Sequence, residues 1–251
     1  MGVVNKGADE LYHRGTAFVC VGRYAEAIMC FDRALERDPD NPVVLVALGA
    51  SLDRLGLFHE TFICCERALS IDPNQTDAWF MKGLALFRLA QYGEAIACFD
   101  KVITRNRDHA EAWFMKGNNH YQRGEYEDAI RSYDETLRVR QRYPKALYNK
   151  GVALADLGEY EEAVRWYDEC LLINPGVAIV MTNKAVALAK IYRYQEAELL
   201  LRDAIDIDPQ DPIAWSNLGL CLGRLGREPE AMQCFDKVRE LAGHHKPPII
   251  R

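Results

Sequence analysis

The chain is 251 residues long, 49% hydrophobic and 27% charged, with 31 Lys and Arg against 37 Asp and Glu for a formal net charge of −6. That balance belongs to a folded globular chain, not a disordered one, and it excludes a broad nucleic-acid footprint, which needs a basic face. The longest apolar run, Val43–Ala50, falls far short of the ~20 residues of a membrane span, so no membrane association is expected.

The N-terminal lead, residues 1–7, has no apolar signal core, and Lys6 stands where a myristoylation signal would place Ser or Thr. A cytoplasmic location is the expectation. From residue 8 onward a 34-residue interval governs the chain. Glycine falls at 15, 49, 83, 117, 151 and 219, interrupted by Ala185, and a second glycine series sits at 22, 56, 124, 158 and 226. Alanine recurs at 27, 95, 129, 163, 197 and 231, and an aromatic at 24, 58, 92, 126, 160 and 194. Seven repeats follow without insertion: 8–41, 42–75, 76–109, 110–143, 144–177, 178–211 and 212–245, with a tail at 246–251. A fixed period of this size means stacked supersecondary units.

Within each repeat the pattern predicts two helices. The first covers about repeat positions 2–14 and ends near the second glycine; the next begins with the aromatic. Asp-Pro, as at Pro39, Pro73 and Pro209, stops it, because proline cannot continue a helix and restrains its predecessor. Glycine inside a helix costs roughly 1 kcal/mol against alanine, so the glycine at repeat position 8 calls for close helix approach. The small alanine of the second helix is expected to face it. No strand alternation is present.

In repeat three this pattern supplies Trp79, Gly83, Ala95 and Phe99, and in repeat seven Trp215, Leu218, Gly219, Ala231 and Phe235. These residues resemble the tetratricopeptide repeat (TPR), Trp-x2-Leu-Gly-x2-Tyr followed by Ala-x3-Phe and Pro. Repeats three to six depart from it with Lys in place of Leu before the glycine position, and several repeats carry Leu or His for Tyr. The resemblance covers residues 8–245 and implies an all-α fold, an α-α superhelix or TPR solenoid of seven helix-turn-helix repeats. Such arrays are protein-interaction scaffolds, so a protein or peptide partner is implied and an enzyme is not.

The hexapeptide Ala-Trp-Phe-Met-Lys-Gly opens both repeats three and four, at 78–83 and 112–117. In TPR arrays the first helices line a concave groove through repeat positions 2, 5, 6, 9, 12 and 13. Mapped by resemblance, the groove takes Phe80, Met81, Leu84, Phe87, Phe114, Met115, Asn118 and Tyr121, then Lys145, Tyr148, Asn149, Val152, Asn183, Lys190 and Asn217. The Phe-Met doublets are expected to be exposed and to form an apolar strip for an amphipathic or extended peptide. Partial packing of the position-5 aromatics against neighbouring repeats is the competing reading.

Asn149, Asn183 and Asn217 share position 6, with Asn118 nearby, and resemble the asparagine ladder of other TPR grooves: an amide donates and accepts, so it can hold a peptide backbone without reading sequence. Lys145, Lys190 and Arg224 make the later half basic, whereas Asp9, Asp53, Asp77 and Glu111 make the first half acidic. An acidic or C-terminal segment would favour the later half. Repeats four to six match the asparagines of the clamp that holds chaperone carboxylates but lack its three basic residues, carrying Phe114, Ile179 and Asn183 instead. Self-assembly through the apolar strip, giving a homo-oligomer, is the alternative.

Lysines 82, 116, 150 and 184 form one ladder and Glu66, Asp100, Asp134 and Asp168 another. Pairing each acid with the lysine 16 residues later gives four matched inter-repeat bridges and leaves Arg202 opposite Leu218. Cysteines 30, 64, 98 and 234 share one repeat position. Like helices lie about 8–10 Å apart or more, beyond the ~7 Å reach of a disulfide, so reduced packing residues are expected. Cys64-Cys65 is no Cys-x2-Cys and no Cys/His cluster has zinc spacing; no metal or cofactor is expected. No nucleotide, zincin or hydrolase motif occurs. Arg239 replaces the apolar residue found at the same position in the first six repeats, as expected where no further repeat stacks. The His244-His245-Lys246-Pro247-Pro248 segment should then end the helix.

Overall fold

The structure, a computed structural model, describes residues 6–243; the tail at 246–251 and His244-His245 lie outside the described residues. Among those residues the chain is fourteen α-helices with no strand. The first helices of the repeats are α1 (Lys6–Cys20), α3 (Pro42–Arg54), α5 (Thr76–Arg88), α7 (Ala110–Gln122), α9 (Pro144–Asp156), α11 (Ala178–Lys190) and α13 (Pro212–Arg224). The second helices are α2 (Tyr24–Arg37), α4 (Phe58–Ile71), α6 (Tyr92–Arg105), α8 (Tyr126–Val139), α10 (Tyr160–Ile173), α12 (Tyr194–Ile207) and α14 (Glu228–Gly243). The predicted period thus reappears in the helix starts, while α1 begins at Lys6, inside the seven-residue lead. The chain forms two compact bodies, Met1–Asp128 and Ala129–Arg251, and consecutive helices pack within each.

Proline opens α3, α9 and α13, where its missing N–H costs nothing and its fixed φ suits the first turn. Asn41 Oδ1 accepts from the amides of Val43 and Val44 at 3.2 Å, and Asp211 Oδ1 from that of Ile213 at 2.8 Å. These side chains satisfy donors that a helix start leaves open. Between the two helices of a repeat the chain turns through one left-handed residue: Gly22, Gly56, Gly124, Gly158 and Gly226 have φ of +74° to +84°. The second glycine series is therefore conformational. In repeats three and six Ala90 (φ 59°) and Tyr192 (φ 65°) hold the same conformation without glycine.

The first glycine series is a packing device, but its partner is not the alanine. A Cβ on Gly83 would lie 2.8 Å from two ring carbons of Phe99; on Gly15 it would lie 2.5 Å from Phe31, on Gly151 2.7 Å from Tyr167, and on Gly219 2.8 Å from Phe235. The aromatic four residues beyond the alanine presses on the glycine backbone. The alanines themselves are buried, Ala95 and Ala163 at 0% exposure, and pack beside the rings. Repeat two has Cys65 in place of the ring, and there a Cβ on Gly49 would meet nothing nearer than 3.5 Å. Repeat six inverts the pair to Ala185 and Leu201, both fully buried.

The charge ladder pairs as expected. Lys116 Nζ lies 2.6 Å from Asp100 Oδ1, Lys150 Nζ 2.5 Å from Asp134 Oδ1, and Lys184 Nζ 2.5 Å from Asp168 Oδ1, with Lys82 bonded to Glu66. Exposed pairs of this kind contribute about 0.2–1 kcal/mol each. Arg202 is not left opposite an apolar residue. It bonds Glu198 at 2.9 Å and reaches Glu230 at 3.5 Å, and Arg227 holds the same two carboxylates at 2.7 and 2.6 Å. The Arg227 guanidinium keeps the Glu230 carboxyl below the usual carboxylate range. Tryptophan also does more than pack: the indole N–H of Trp79 donates to the Pro73 carbonyl at 2.9 Å, Trp113 to Arg107 at 2.9 Å and Trp215 to Pro209 at 3.0 Å. Each of these first helices grips the loop that precedes it. All eight cysteines are free thiols.

Candidate functional site

In the N-terminal body the expected apolar strip is largely built into the core. The Phe80 ring meets Phe99 edge-on at 5.7 Å and His109 at 5.0 Å. Leu84, Phe87 and Met115 are half-buried against the cluster of Leu86, Phe99 and Val102, and Met81 is half-buried as well. Phe114 is only 9% exposed, which overturns the expectation that both Phe-Met doublets are exposed. For Phe80 the reason is geometric: its ring lies beside the Phe99 ring that is seated against Gly83, so it joins the core instead of facing solvent. Asn118 places its Nδ2 3.7 Å from Met115 Sδ, and Tyr121 packs at 5.5 Å on Tyr126.

At the end of α7, His120 occupies a position that is Leu or Phe in every other repeat. Its Nδ1 lies 2.7 Å from Glu125 Oε2, Arg123 holds the other Glu125 oxygen at 2.8 Å, and an Asp128 oxygen completes a group within 4.8 Å. Glu125 supplies the partner that a histidine in a core stripe requires. Its existing ion pair makes the group a turn staple first and a weak set of metal ligands.

In the C-terminal body the asparagine row is partly spent. Asn183 Nδ2 donates to Tyr148 Oη at 2.8 Å, and Asn217 Nδ2 donates to the Ile213 carbonyl of its own helix at 2.9 Å. Burial pushes the Tyr148 phenol up, with the Asn183 bond opposing. Each of these two amides thus has one N–H committed, leaving its second N–H and its carbonyl oxygen. Asn149 is half-buried on α9. The three expected cations separate: Lys190 and Arg224 line one cleft, Lys145 another.

The first of these clefts has a volume of about 470 Å³ and is walled by α11, α13 and the turn into α12. Val186 and Leu220 supply apolar surface, Asn217 a polar edge, and Lys190 and Arg224 positive charge. Among the described residues neither cation has a carboxylate within salt-bridge distance. Tyr192 stands at its rim, 78% exposed and with its ring at right angles to that of Tyr194, 6.2 Å away. Ile179 and Ile213, at the start of α11 and α13, are 58% and 63% exposed. A left-handed conformation costs a residue with a Cβ roughly 1–2 kcal/mol, and five other repeats avoid it with glycine. The Tyr192 ring thus stands exposed on a turn that glycine would form without that cost. Sequence reasoning named Lys190, Asn217 and Arg224 but missed Tyr192 and Leu220. The signal for Tyr192 was the gap it makes in the second glycine series.

Comparison with known proteins agrees with this architecture. Family models described as tetratricopeptide repeat match residues 80–125, 114–178 and 192–247, together more than half of the chain. A model described as anaphase-promoting complex, cyclosome, subunit 3 matches residues 21–102. No curated protein sequence matches the chain. Among solved structures, the chain is similar to the C-terminal part of a TPR repeat-containing protein from Cytophaga hutchinsonii, at a TM-score of 0.75 and 18% identity, covering 95% of each chain. It is also similar to a tetratricopeptide repeat protein from Parabacteroides merdae, at 0.71 and 19%, covering 94% of each. A third is YrrB, described as a TPR protein with an unusual peptide-binding site, at 0.64 and 21%, covering 73% of this chain and 95% of that one. With seven helix pairs, glycine–ring contacts at a 34-residue period and these matches, the chain belongs to the tetratricopeptide-repeat family, whose fold is a protein-interaction scaffold.

Proposed function

We propose that this protein is a non-enzymatic scaffold that binds an extended, acidic or C-terminal peptide segment of a partner protein. The principal contact is the first-helix face of α11 and α13. The reading rests on one observation: the strained, exposed Tyr192 stands beside Lys190 and Arg224, two cations with no acidic partner of their own. A carboxylate would neutralise the pair, the Asn217 carbonyl would accept from a peptide N–H, and Leu220 and Tyr192 would cover apolar side chains. Asn183 and Tyr148 extend the same face one repeat earlier. Phe80, Met81, Leu84, Phe87, Met115, Asn118 and Tyr121 contribute the rim of a shallower apolar surface in the N-terminal body.

Selection from a random peptide library on the intact protein tests this. Acidic or free-carboxylate peptides should emerge, and Lys190→Glu/Arg224→Glu should abolish their binding. Selection of a neutral consensus indifferent to that double change would overturn the reading. The exposed Ile179, Ile213 and Leu220 also suit self-assembly. A molar mass by light scattering that rises with concentration, and falls on Leu220→Glu, would favour that alternative.

A further inference from the structure

The loop between α8 and α9 breaks the repeat in one respect. Where other junctions carry Asp-Pro or an Asn, this one reads Arg140-Gln141-Arg142-Tyr143 before Pro144-Lys145. Counting Arg138, four cations fall within eight residues of a chain whose net charge is −6. Arg138 is neutralised by Glu135 at 2.9 Å. Arg140, Arg142 and Lys145 are not: among the described residues none has a carboxylate within salt-bridge distance, and all three line one cleft of about 430 Å³. Most other basic residues of the C-terminal body are paired, among them Lys150, Lys184, Arg193, Arg202 and Arg227.

The rest of the cleft is poor in acceptors. Arg140 lies over the Tyr143 ring with its guanidinium carbon 5.2 Å from the centroid, which restrains the fork. Asn174, on the facing wall, makes no side-chain hydrogen bond. Its counterparts Asp72, Asn106 and Asp208 each accept the amide two residues on, at 2.9, 3.1 and 3.1 Å. Tyr143, the residue before α9, gives that helix no side-chain cap, whereas Asn41, His109 and Asp211 cap theirs.

We infer that this junction binds a phosphoryl group, presented as phosphoserine or phosphothreonine in a peptide segment of a partner protein. Two guanidinium forks and an ammonium exceed what one carboxylate can neutralise, whereas a phosphate monoester brings nearly two charges and three acceptor oxygens. The Asn174 amide is a further donor. A nucleic acid would need a basic track over many phosphates, and here the unpaired cations of the junction sit in a single cleft. This site is separate from the Lys190–Arg224 cleft, so the two readings stand or fall independently.

The test is fluorescence anisotropy on the full chain with a short labelled peptide of Gly and Ala around one phosphoserine, its C-terminus amidated so that it carries no free carboxylate. The same peptide with Ser or Glu in its place, and a short single-stranded RNA, serve as comparisons. The phosphopeptide should bind, the Ser form should not, and the Glu form should be weaker. Arg140→Gln and Arg142→Gln should each weaken phosphopeptide binding roughly tenfold, while Arg165→Gln leaves it unchanged. All these side chains are exposed, and circular dichroism confirms that the variants fold. Equal binding of the Glu peptide, tighter binding of RNA, an equal loss on Arg165→Gln, or no phosphopeptide binding at low salt would each overturn the proposal.

Discussion

Phe99 lies so close to Gly83 that a Cβ added there would stand 2.8 Å from two carbons of the ring. The glycine is thus one half of a fitted pair, and its helix-propensity cost is the condition for seating the ring. Gly83→Ala should destabilise the protein by about 1–3 kcal/mol through overpacking. Gly49→Ala, facing Cys65 with ordinary contact distances, should instead gain up to ~1 kcal/mol from helix propensity. Urea melts of the two variants side by side check the opposite signs.

The fold was legible because its signals repeat: the interval located the helices, and counting charges across it found all four inter-repeat bridges. What a single glycine touches was not legible, since Ala95 and Phe99 are both near it and only packing decides which one presses on the backbone. The exposure of the Phe-Met doublets was misread for a related reason. Register assigns a face to Phe80 and Phe114, but it does not say that Phe80 meets the Phe99 ring there or that Phe114 is buried. Tyr192 was visible as a missing glycine, yet only the structure gives its left-handed φ of 65° and its exposure.

The ladder should not be uniform. Lys150 has its side chain only 7% exposed, and its ammonium sits 3.6 Å from the centre of the Trp166 ring while bonding Asp134. Lys150→Ala should cost about 2 kcal/mol, the sum of an ion pair, a shielded cation–π contact and lost packing. Lys184→Ala, with the ion pair to Asp168, should cost about 0.5–1 kcal/mol. Added salt should narrow the second difference more than the first, as measured by chemical denaturation.

Tyr192→Gly is expected to raise stability by about 1 kcal/mol, because glycine adopts the left-handed turn without strain. The same change should weaken whatever peptide the adjacent cleft selects. A thermal melt that moves up while binding moves down is the outcome; a melt that moves down would show that the ring contributes to packing instead.

Cysteine chemistry should follow burial. Burial pushes the Cys65 thiol up to about 12, with the Cys64 charge adding to it, and pushes Cys64 and Cys98 up to about 11. Cys20 is exposed, so an alkylating reagent should label it first under native conditions, the buried thiols following only on unfolding. The shift also couples to stability. Because the folded-state values are raised, their contribution is complete below the unfolded value of about 9 and is lost as pH rises towards 12. Cys65→Ala should flatten that alkaline decline in a pH series of urea midpoints.

The loop carbonyls held by side chains mark where this chain is free to change. Arg67 donates to Pro39, Trp79 and Arg105 to Pro73, Trp113 to Arg107 and Trp215 to Pro209. Leu147 stands where an indole would reach back to Gln141, so no tryptophan ties down the loop that carries Arg140 and Arg142. A mutation at an anchored junction has to preserve the backbone position that its tryptophan or arginine expects. At the α8–α9 junction no indole makes that demand, and its arginines stand on exposed positions outside the helices. The cationic cleft falls at a junction without the tryptophan tie that repeats three, four and seven share.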